Sequence, residues 1–189
     1  MYHSSNGVDA LIEPLLPDVG WACEVGANDG QYFSNCLHFE EIKGWTVLCV
    51  EPNPLLLDAG KSVRALWRQV AAAGEDGPIE FHSWGGFPYP SGSGTSIKSR
   101  TGTSDRQVFT VQGLRLDRIL EEAGFHKLDL LTVDVEGFEL EVMRGFSIER
   151  WKPKIIVLEF YPDDFDYNIP GYTKIDRKEF DNVYQRNGA

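Results

Sequence analysis

The segment Trp21-Ala22-Cys23-Glu24-Val25-Gly26-Ala27-Asn28-Asp29-Gly30, followed by Val47-Leu48-Cys49-Val50-Glu51-Pro52, constrains this chain more than any other part of it. A short apolar run ends in an acid and a glycine-spaced turn, an amphipathic stretch follows, and a second apolar run ends in another acid. That order reads as strand, turn, helix and strand of a parallel sheet, with a nucleotide-type ligand crevice at the strand ends. Gly26 and Gly30 let the backbone turn tightly and approach a ligand where a Cβ would block it. Glu51 stands at about the spacing at which a carboxylate accepts the hydroxyls of a bound ribose. The competing reading is a tight turn with two solvated acids, and the placing of both acids at strand ends favours the crevice.

The turn is not the dinucleotide fingerprint. Gly-x-x-x-Gly lacks the G-x-G-x-x-G arrangement that brings a helix N-terminus up to a pyrophosphate. A cofactor without phosphate is therefore expected, and S-adenosyl-L-methionine is one, with Glu24 and the loop amides at its amino-acid end and Glu51 on its ribose.

A length of 189 residues suits one domain, 1–189, with one substantial core. The net charge of -11 argues against duplex DNA or an anionic membrane surface as partner, because both need clustered Lys and Arg. Cys23, Cys36 and Cys49 show no C-x-x-C spacing and read as small core residues in a reducing compartment. Residues 1–20 hold Pro14 and Pro17 and have neither a basic start nor an unbroken apolar stretch, so no secretory signal is expected. No segment is long enough to span a bilayer, and the expected location is cytoplasmic.

Coarse patterning gives an α/β chain with a mainly parallel sheet. Residues 1–18 are a covering segment, with a short helix over 10–16 beginning after Asp9. Strands are expected at 21–25 and 45–50, with Tyr32, Phe33, Cys36, Leu37 and Phe39 at helical spacing between them. A helix capped at Asn53-Pro54 runs to about Leu66, a third strand covers 69–73 and another 79–83. Residues 84–106, rich in Gly, Ser, Thr and Pro, form a lid or substrate loop, with a surface insertion as the alternative. A strand resumes at 108–111, and Leu116, Ile119, Leu120 and Ala123 mark a helix stopped by Gly124. Residues 128–134 form a buried parallel strand ending in Asp134, and 154–160 another ending near Glu159. Phe138, Val142, Met143 and Phe146 share a helix face between them, and 171–176 with 180–185 form a closing antiparallel hairpin.

Five motifs, Glu24-Val25-Gly26-Ala27-Asn28-Asp29-Gly30, Val50-Glu51-Pro52-Asn53-Pro54, Leu116-Asp117-Arg118-Ile119-Leu120, Val133-Asp134-Val135-Glu136-Gly137-Phe138-Glu139 and Lys154-Ile155-Ile156-Val157-Leu158-Glu159-Phe160, occur in that order. Together they resemble the FkbM family of S-adenosylmethionine-dependent methyltransferases over roughly residues 19–185. The resemblance implies a Rossmann-like class I sheet of seven strands and O-methylation of a hydroxyl on a sugar, glycan or natural product. It places Glu24, Gly26, Asn28 and Gly30 on the methionine part of the cofactor, Glu51 on the ribose, and Val70 and Ala71 beside the adenine. The chain departs from the family in the glycine-rich loop and at 161–170, which is short and acidic where a helix is usual, so the acceptor transfers least.

Methyl transfer to a hydroxyl needs positioning and a route for the proton. Asp134 and Glu159 end strands expected to be neighbours and are the leading base pair, or the oxygen ligands of magnesium or manganese. Asp134 is also a candidate cofactor contact. Glu136, in the turn itself, and His82, at a strand end, are further catalytic candidates. The competing reading leaves Asp134 to orient the cofactor, Glu159 to accept backbone N–H groups, and Glu139 and Glu141 to favour a helix dipole. Trp84, Phe87 and Tyr89 are candidates to stack on a sugar or to anchor the loop, and Asp163, Asp164 and Asp166 around Phe165 form a solvated turn or an acceptor contact. His3, His38 and His126 show no ligand spacing, so zinc is not expected. Two other functions compete: a non-catalytic binding domain on the same fold, and a nicotinamide-dependent oxidoreductase, for which a fuller glycine fingerprint and a Tyr-x-x-x-Lys relay are missing.

Overall fold

A computed structural model describes residues 1–84, 91–93, 106–160 and 167–188. In chain order it contains α1 (Val8–Ile12), β1 (Trp21–Val25), α2 (Leu37–Glu41), β2 (Thr46–Val50), α3 (Leu57–Val63), β3 (Leu66–Arg68) and β4 (Ala71–Ala73). There follow β5 (Gly77–Trp84), β6 (Ser91–Ser93), β7 (Arg106–Arg115), α4 (Leu116–Glu122), β8 (Leu130–Val133), α5 (Glu139–Arg144), α6 (Ile148–Trp151), β9 (Ile155–Glu159), β10 (Tyr172–Lys178) and β11 (Asp181–Arg186). Seven strands form the main sheet in the order β10-β11-β9-β8-β1-β2-β3. Neighbours from β9 to β3 pair parallel, while β11 runs antiparallel to both β9 and β10. The mostly parallel α/β sheet and the C-terminal hairpin agree with the patterning of the sequence.

The central strands are buried on both faces, which is why they read as continuous apolar runs. Alternation sends Cys23, Val25, Leu48, Val50, Leu131, Val133, Ile156 and Leu158 to one face, against α4, α5 and α6. Ala22, Val47, Cys49, Leu130, Ile155 and Val157 face the other way, against Val8 and Ile12 of α1 and Phe39 of α2. All three cysteines are free, and burial holds their thiols above the ordinary range. No helix among the described residues is long and apolar enough to cross a membrane.

Polar groups fix the junctions between these layers. Asp129 receives the Trp21 N–H on its carboxylate at 3.0 Å, and its carbonyl accepts from Lys154 N–H at 2.8 Å, which aligns the starts of β1, β8 and β9. Asp117, in the Leu116-Asp117-Arg118-Ile119-Leu120 motif, accepts the Ser147 N–H and the Trp151 indole N–H, each at 2.8 Å, and so seats α6.

Several boundaries differ from the sequence expectations. The third strand of the main sheet is β3, whereas 71–73 leaves that sheet and pairs with β7 in a second sheet of order β4-β7-β5-β6. Leu66 and Trp67 are too short an apolar run to announce an edge strand, and Trp67 is buried because its indole packs on Gly60 of α3. The helix after Asn53 stops at Val63, where Arg64 turns to extended backbone, after a 3₁₀ turn over Pro54–Leu56. Residues 32–36 are not helical, because Asp29 caps the N–H groups of Gln31 and Tyr32 and holds a turn, so the helix starts at Leu37. The N-terminal helix starts at Val8 with Asp9 inside it, the carboxylate of Asp9 being used to accept His3 and Ser4 N–H groups. Phe87, Tyr89, Asp163, Asp164, Phe165 and Asp166 lie outside the described residues, as does the side chain of Trp84.

Gly145 joins the second sheet to the main body, and its φ of -87° suits any residue. A Cβ there would overlap the Ala73 carbonyl oxygen, so the constraint is space alone. We expect Gly145→Ala to destabilise the fold by about 1–3 kcal/mol, the range for overpacking, in a urea denaturation series.

Candidate functional site

The chain order β1-β2-β3 builds outward on one side of β1, and β8 and β9 build on the other, so the strand order reverses at β1 and β8. Crevices at the carboxyl ends of such strands are where open α/β sheets bind ligands. A cavity of about 290 Å³ opens there. Along the sheet order its rim carries Glu51 after β2, Glu24 in β1, Asp134 after β8, Glu159 in β9 and Asp181 at the start of β11. At about 4.8 Å per strand these four intervals span roughly 19 Å, enough for two ligands end to end.

The turn after β1 is shaped by close contact. Gly26 (φ 85°) lies so near the chain after β8 that a Cβ would overlap the Asp134 carbonyl oxygen. Gly26 and Ala27 N–H groups both bond to the Val50 carbonyl, at 2.9 and 3.2 Å, which ties the turn to the end of β2. Glu24 is committed to holding the rest of the loop. Its carboxylate accepts the Ser34 hydroxyl at 2.8 Å, the Asn35 N–H at 2.7 Å and Arg64 Nη1 at 3.0 Å. Arg64 is 3% exposed, and it also bonds the Gly30 carbonyl at 2.8 Å and Glu40 through Nε at 2.6 Å. Burial opposes the Arg64 charge, and the Glu24 and Glu40 carboxylates outweigh it and hold the guanidinium protonated. Sequence inspection missed Arg64, since a single Arg in a stretch read as helix to about Leu66 looks like surface.

Glu51 is 5% exposed and lines the cavity. Its oxygens accept the Asn28 N–H at 3.0 Å and the Asn53 N–H at 2.9 Å, leaving lone pairs for a ligand. Burial raises its pKa to about 7 against those two bonds. Beside it Pro52, Leu56, Ala71, Ala72 and Phe81 make an apolar slot.

At the other end the Asp134 and Glu159 carboxylates stand together, with oxygens within 4.8 Å of each other. Asp134 is exposed to the cavity yet closely flanked by protein, and the desolvation there, then the neighbouring Glu159 charge, pushes its pKa well up. Burial likewise raises Glu159 to about 7, with Asp134 working the other way. The pair therefore keeps one proton, held toward Asp134, near neutral pH. Glu136 joins them, with one oxygen from each of the three within 4.8 Å of the others. Glu139 does not reach this group in a ligand role. Its buried carboxylate accepts Val135 and Gly137 N–H groups at 3.1 and 3.0 Å and so folds the turn that presents Glu136.

Of the sequence candidates, Glu24, Gly26, Asn28, Glu51, Ala71, Asp134, Glu136 and Glu159 all line the one cavity. Gly30, Val70 and His82 do not. A Cβ on Gly30 would meet Arg64 Cγ at 2.7 Å, so this glycine serves the arginine rather than a ligand. Val70 precedes β4 and packs on the core, leaving Ala71, Ala72 and Phe81 in its expected place. His82 is buried in β5 with Nε2 at 2.8 Å from Glu80. Tyr32, Phe33, Ser5, Asn6 and residues 179–181 are lining groups that local pattern did not reveal.

Backbone strain concentrates here. Five described non-glycine residues have positive φ, and four of them, Asn28, Phe33, Glu136 and Glu179, line the cavity. Such conformations cost about 1–3 kcal/mol each and persist at ligand sites where the surroundings enforce them.

Comparison with known proteins agrees with this architecture. The Methyltransferase FkbM domain model matches residues 24–185. The chain belongs to the FkbM methyltransferase family. The 2-O-methyltransferase NoeI of Sinorhizobium fredii (strain NBRC 101917 / NGR234) is 28% identical over 152 residues, covering 72% of this chain and 61% of that protein. The structure of a methyltransferase FkbM from Methylobacillus flagellatus KT superposes with a TM-score of 0.52 at 16% identity, covering 78% of this chain and 35% of that one, and shares the fold. The chain thus spans about three-fifths of the NoeI length and about a third of the solved chain.

Two outcomes follow from these charges. Arg64→Met leaves Glu24 buried without its cation and should destabilise the protein by about 3–5 kcal/mol in chemical denaturation. Glu51 carries a folded pKa of about 7, above the 4.5 of an unfolded Glu. Its contribution to stability is therefore full below about 4.5 and is lost as pH rises through about 7. Urea midpoints should show that decline between pH 5 and 8, and Glu51→Gln should flatten it.

Proposed function

We propose that the chain is an S-adenosyl-L-methionine-dependent O-methyltransferase acting on a hydroxyl of a sugar, a glycan or a related natural product. The observation that carries this reading is a continuous cavity along the sheet rim, lined from Glu51 to the close pair Asp134 and Glu159. Its Glu51 end fits the methyl donor. Glu51 has free lone pairs for ribose hydroxyls, the slot of Pro52, Leu56, Ala71, Ala72 and Phe81 suits a flat adenine, and Gly26 leaves room where a Cβ would not. The helix after the turn begins only at Leu37, so no helix N-terminus meets Gly26 and Gly30, as a pyrophosphate would require. That absence, with the missing Tyr-x-x-x-Lys, weighs against a nicotinamide cofactor. The 2-O-methyltransferase named among the relatives supports oxygen as the methylated atom.

The methyl donor supplies an electrophilic carbon on a sulfonium. The protein then has to hold an acceptor hydroxyl in line with it and remove the proton. Asp134 and Glu159, holding one proton between them, keep one negative charge facing the cavity at neutral pH and accept that proton. Fixing the hydroxyl against the pair supplies orientation, which is a large share of the rate in a displacement of this kind. A second reading rests on the closeness of the Asp134, Glu136 and Glu159 oxygens, which suits a hard divalent cation that would acidify the hydroxyl instead.

Titration calorimetry of metal-stripped protein with S-adenosylhomocysteine, and with NADH in parallel, tests the class. Saturable binding of the first and none of the second supports the proposal, and no binding of S-adenosylhomocysteine overturns it. Glu51→Ala should weaken that binding by about 10- to 100-fold, the worth of hydrogen bonds to a charged group. Glu159→Gln should retain binding while kcat drops by about 10²- to 10⁴-fold, the usual contribution of a general base. Activity should rise as pH increases through about 7, where Glu159 gives up its proton. Activity that appears only on adding magnesium or manganese would transfer the role to the cation.

A further inference from the structure

Tyr32 and Phe33 are large aromatic residues on the wall of the cavity, 39% and 53% exposed. Their ring centroids lie 3.8 Å apart with the planes 38° from parallel, so they present a continuous apolar step. The chain is forced to hold them there. Phe33 has φ 59°, a conformation unfavourable for a bulky residue. Both flanks enforce it. Asp29 accepts the Tyr32 N–H at 2.7 Å, and the Ser34 hydroxyl is bound by Glu24 at 2.8 Å and by Arg64 Nη1 at 3.2 Å. A loop that needed only to connect β1 to α2 would have no reason to lock an aromatic ring outward at the site.

The rest of the wall has one charge sign. Glu24, Glu51, Asp134, Glu136, Glu159, Glu179 and Asp181 line the cavity, and among the described lining residues there is no Lys, Arg or His. Glu24 is neutralised by Arg64, Glu51 and Asp181 accept hydrogen bonds from neutral groups of Asn28, Asn53 and Asn6, and Asp134, Glu136 and Glu159 bring oxygens within 4.8 Å of one another. Asn6, which lines the same end, donates to Asp181 at 2.6 Å and brings the N-terminal segment against the β10–β11 turn. A wall of carboxylates accepts hydrogen bonds from hydroxyls and repels phosphate and carboxylate groups. Aromatic faces add a surface for the C–H side of a saturated ring.

Building on the methyltransferase reading, we infer that Tyr32 and Phe33 are the stacking platform of the acceptor subsite. The acceptor is an uncharged sugar ring whose hydroxyls are gripped by the carboxylates toward Asp134, Glu159 and Asp181. Sugars that carry phosphate or carboxylate beside the reacting hydroxyl are refused. Methylation by this chain then takes place on neutral glycan residues.

The test is binding of neutral glycans to S-adenosylhomocysteine-saturated protein on a glycan array, with the matched sugar phosphates and uronic acids on the same surface. Tyr32→Ala and Phe33→Gly are the variants, glycine being chosen because it accepts φ 59° without strain. Wild type should retain neutral sugars and not their anionic counterparts. Each variant should lose affinity by about tenfold, the scale of one stacking contact, with S-adenosylhomocysteine affinity in calorimetry unchanged. Retention of neutral sugars by the variants at wild-type strength overturns the platform, and equal or better retention of anionic sugars overturns the selectivity. No glycan retained by wild type, with S-adenosylhomocysteine bound, removes this inference alone. Loss of S-adenosylhomocysteine binding in the wild type removes the methyltransferase reading itself.

Discussion

One buried cation organises the ligand end of this protein. Arg64 lies between Glu24 and Glu40 and reaches the Gly30 carbonyl and the Ser34 hydroxyl. The turn at 26–30, the Tyr32 and Phe33 step and the start of α2 all depend on that set of bonds. A loop of ordinary polar contacts would sample many shapes. A desolvated guanidinium between carboxylates leaves few, because every departure strands a charge away from water. The arrangement explains why Glu24, the acid a reader of the sequence would give to the ligand, is spent inside the protein.

The far end of the cavity works on the opposite principle. Among the described residues no cation lines the cavity beside Asp134 and Glu159, and the pair keeps a proton. Burial raises both carboxylates, so the first ionisation of the pair, at Glu159, falls near neutral pH, where a general base is most effective. A single rim thus holds a rigid, charge-balanced end and a proton-exchanging end, with the cavity between them. The strained residues Asn28, Phe33, Glu136 and Glu179 are distributed over both.

Most of the fold was legible before the structure because buried parallel strands announce themselves. The runs at β1, β2, β8 and β9 are mostly apolar, and each ends at or beside an acid, Glu24, Glu51, Asp134 and Glu159. Edge elements were not legible in the same way. β3 is three residues long and half exposed, and β4 leaves for the second sheet because of pairing with β7 that no local pattern encodes. Tyr32 and Phe33 matched a helical period by coincidence, and the Asp29 cap overrode it.

The sequence by itself determined the chemistry available at the strand ends: which carboxylates stand there, where the backbone must pass without a Cβ, and that no phosphate-binding turn follows β1. Those follow from local residue identity, which acts over a few positions. Only the tertiary structure decided the use of each group. Arg64 claims Glu24, Gly30 makes way for Arg64, His82 turns to Glu80, and Asn6 and Asp181 close one end of the cavity from opposite termini of the chain. Those outcomes rest on contacts between residues 34 to 175 positions apart, or on which side of a strand faces the cavity, and only the packed sheet settles either.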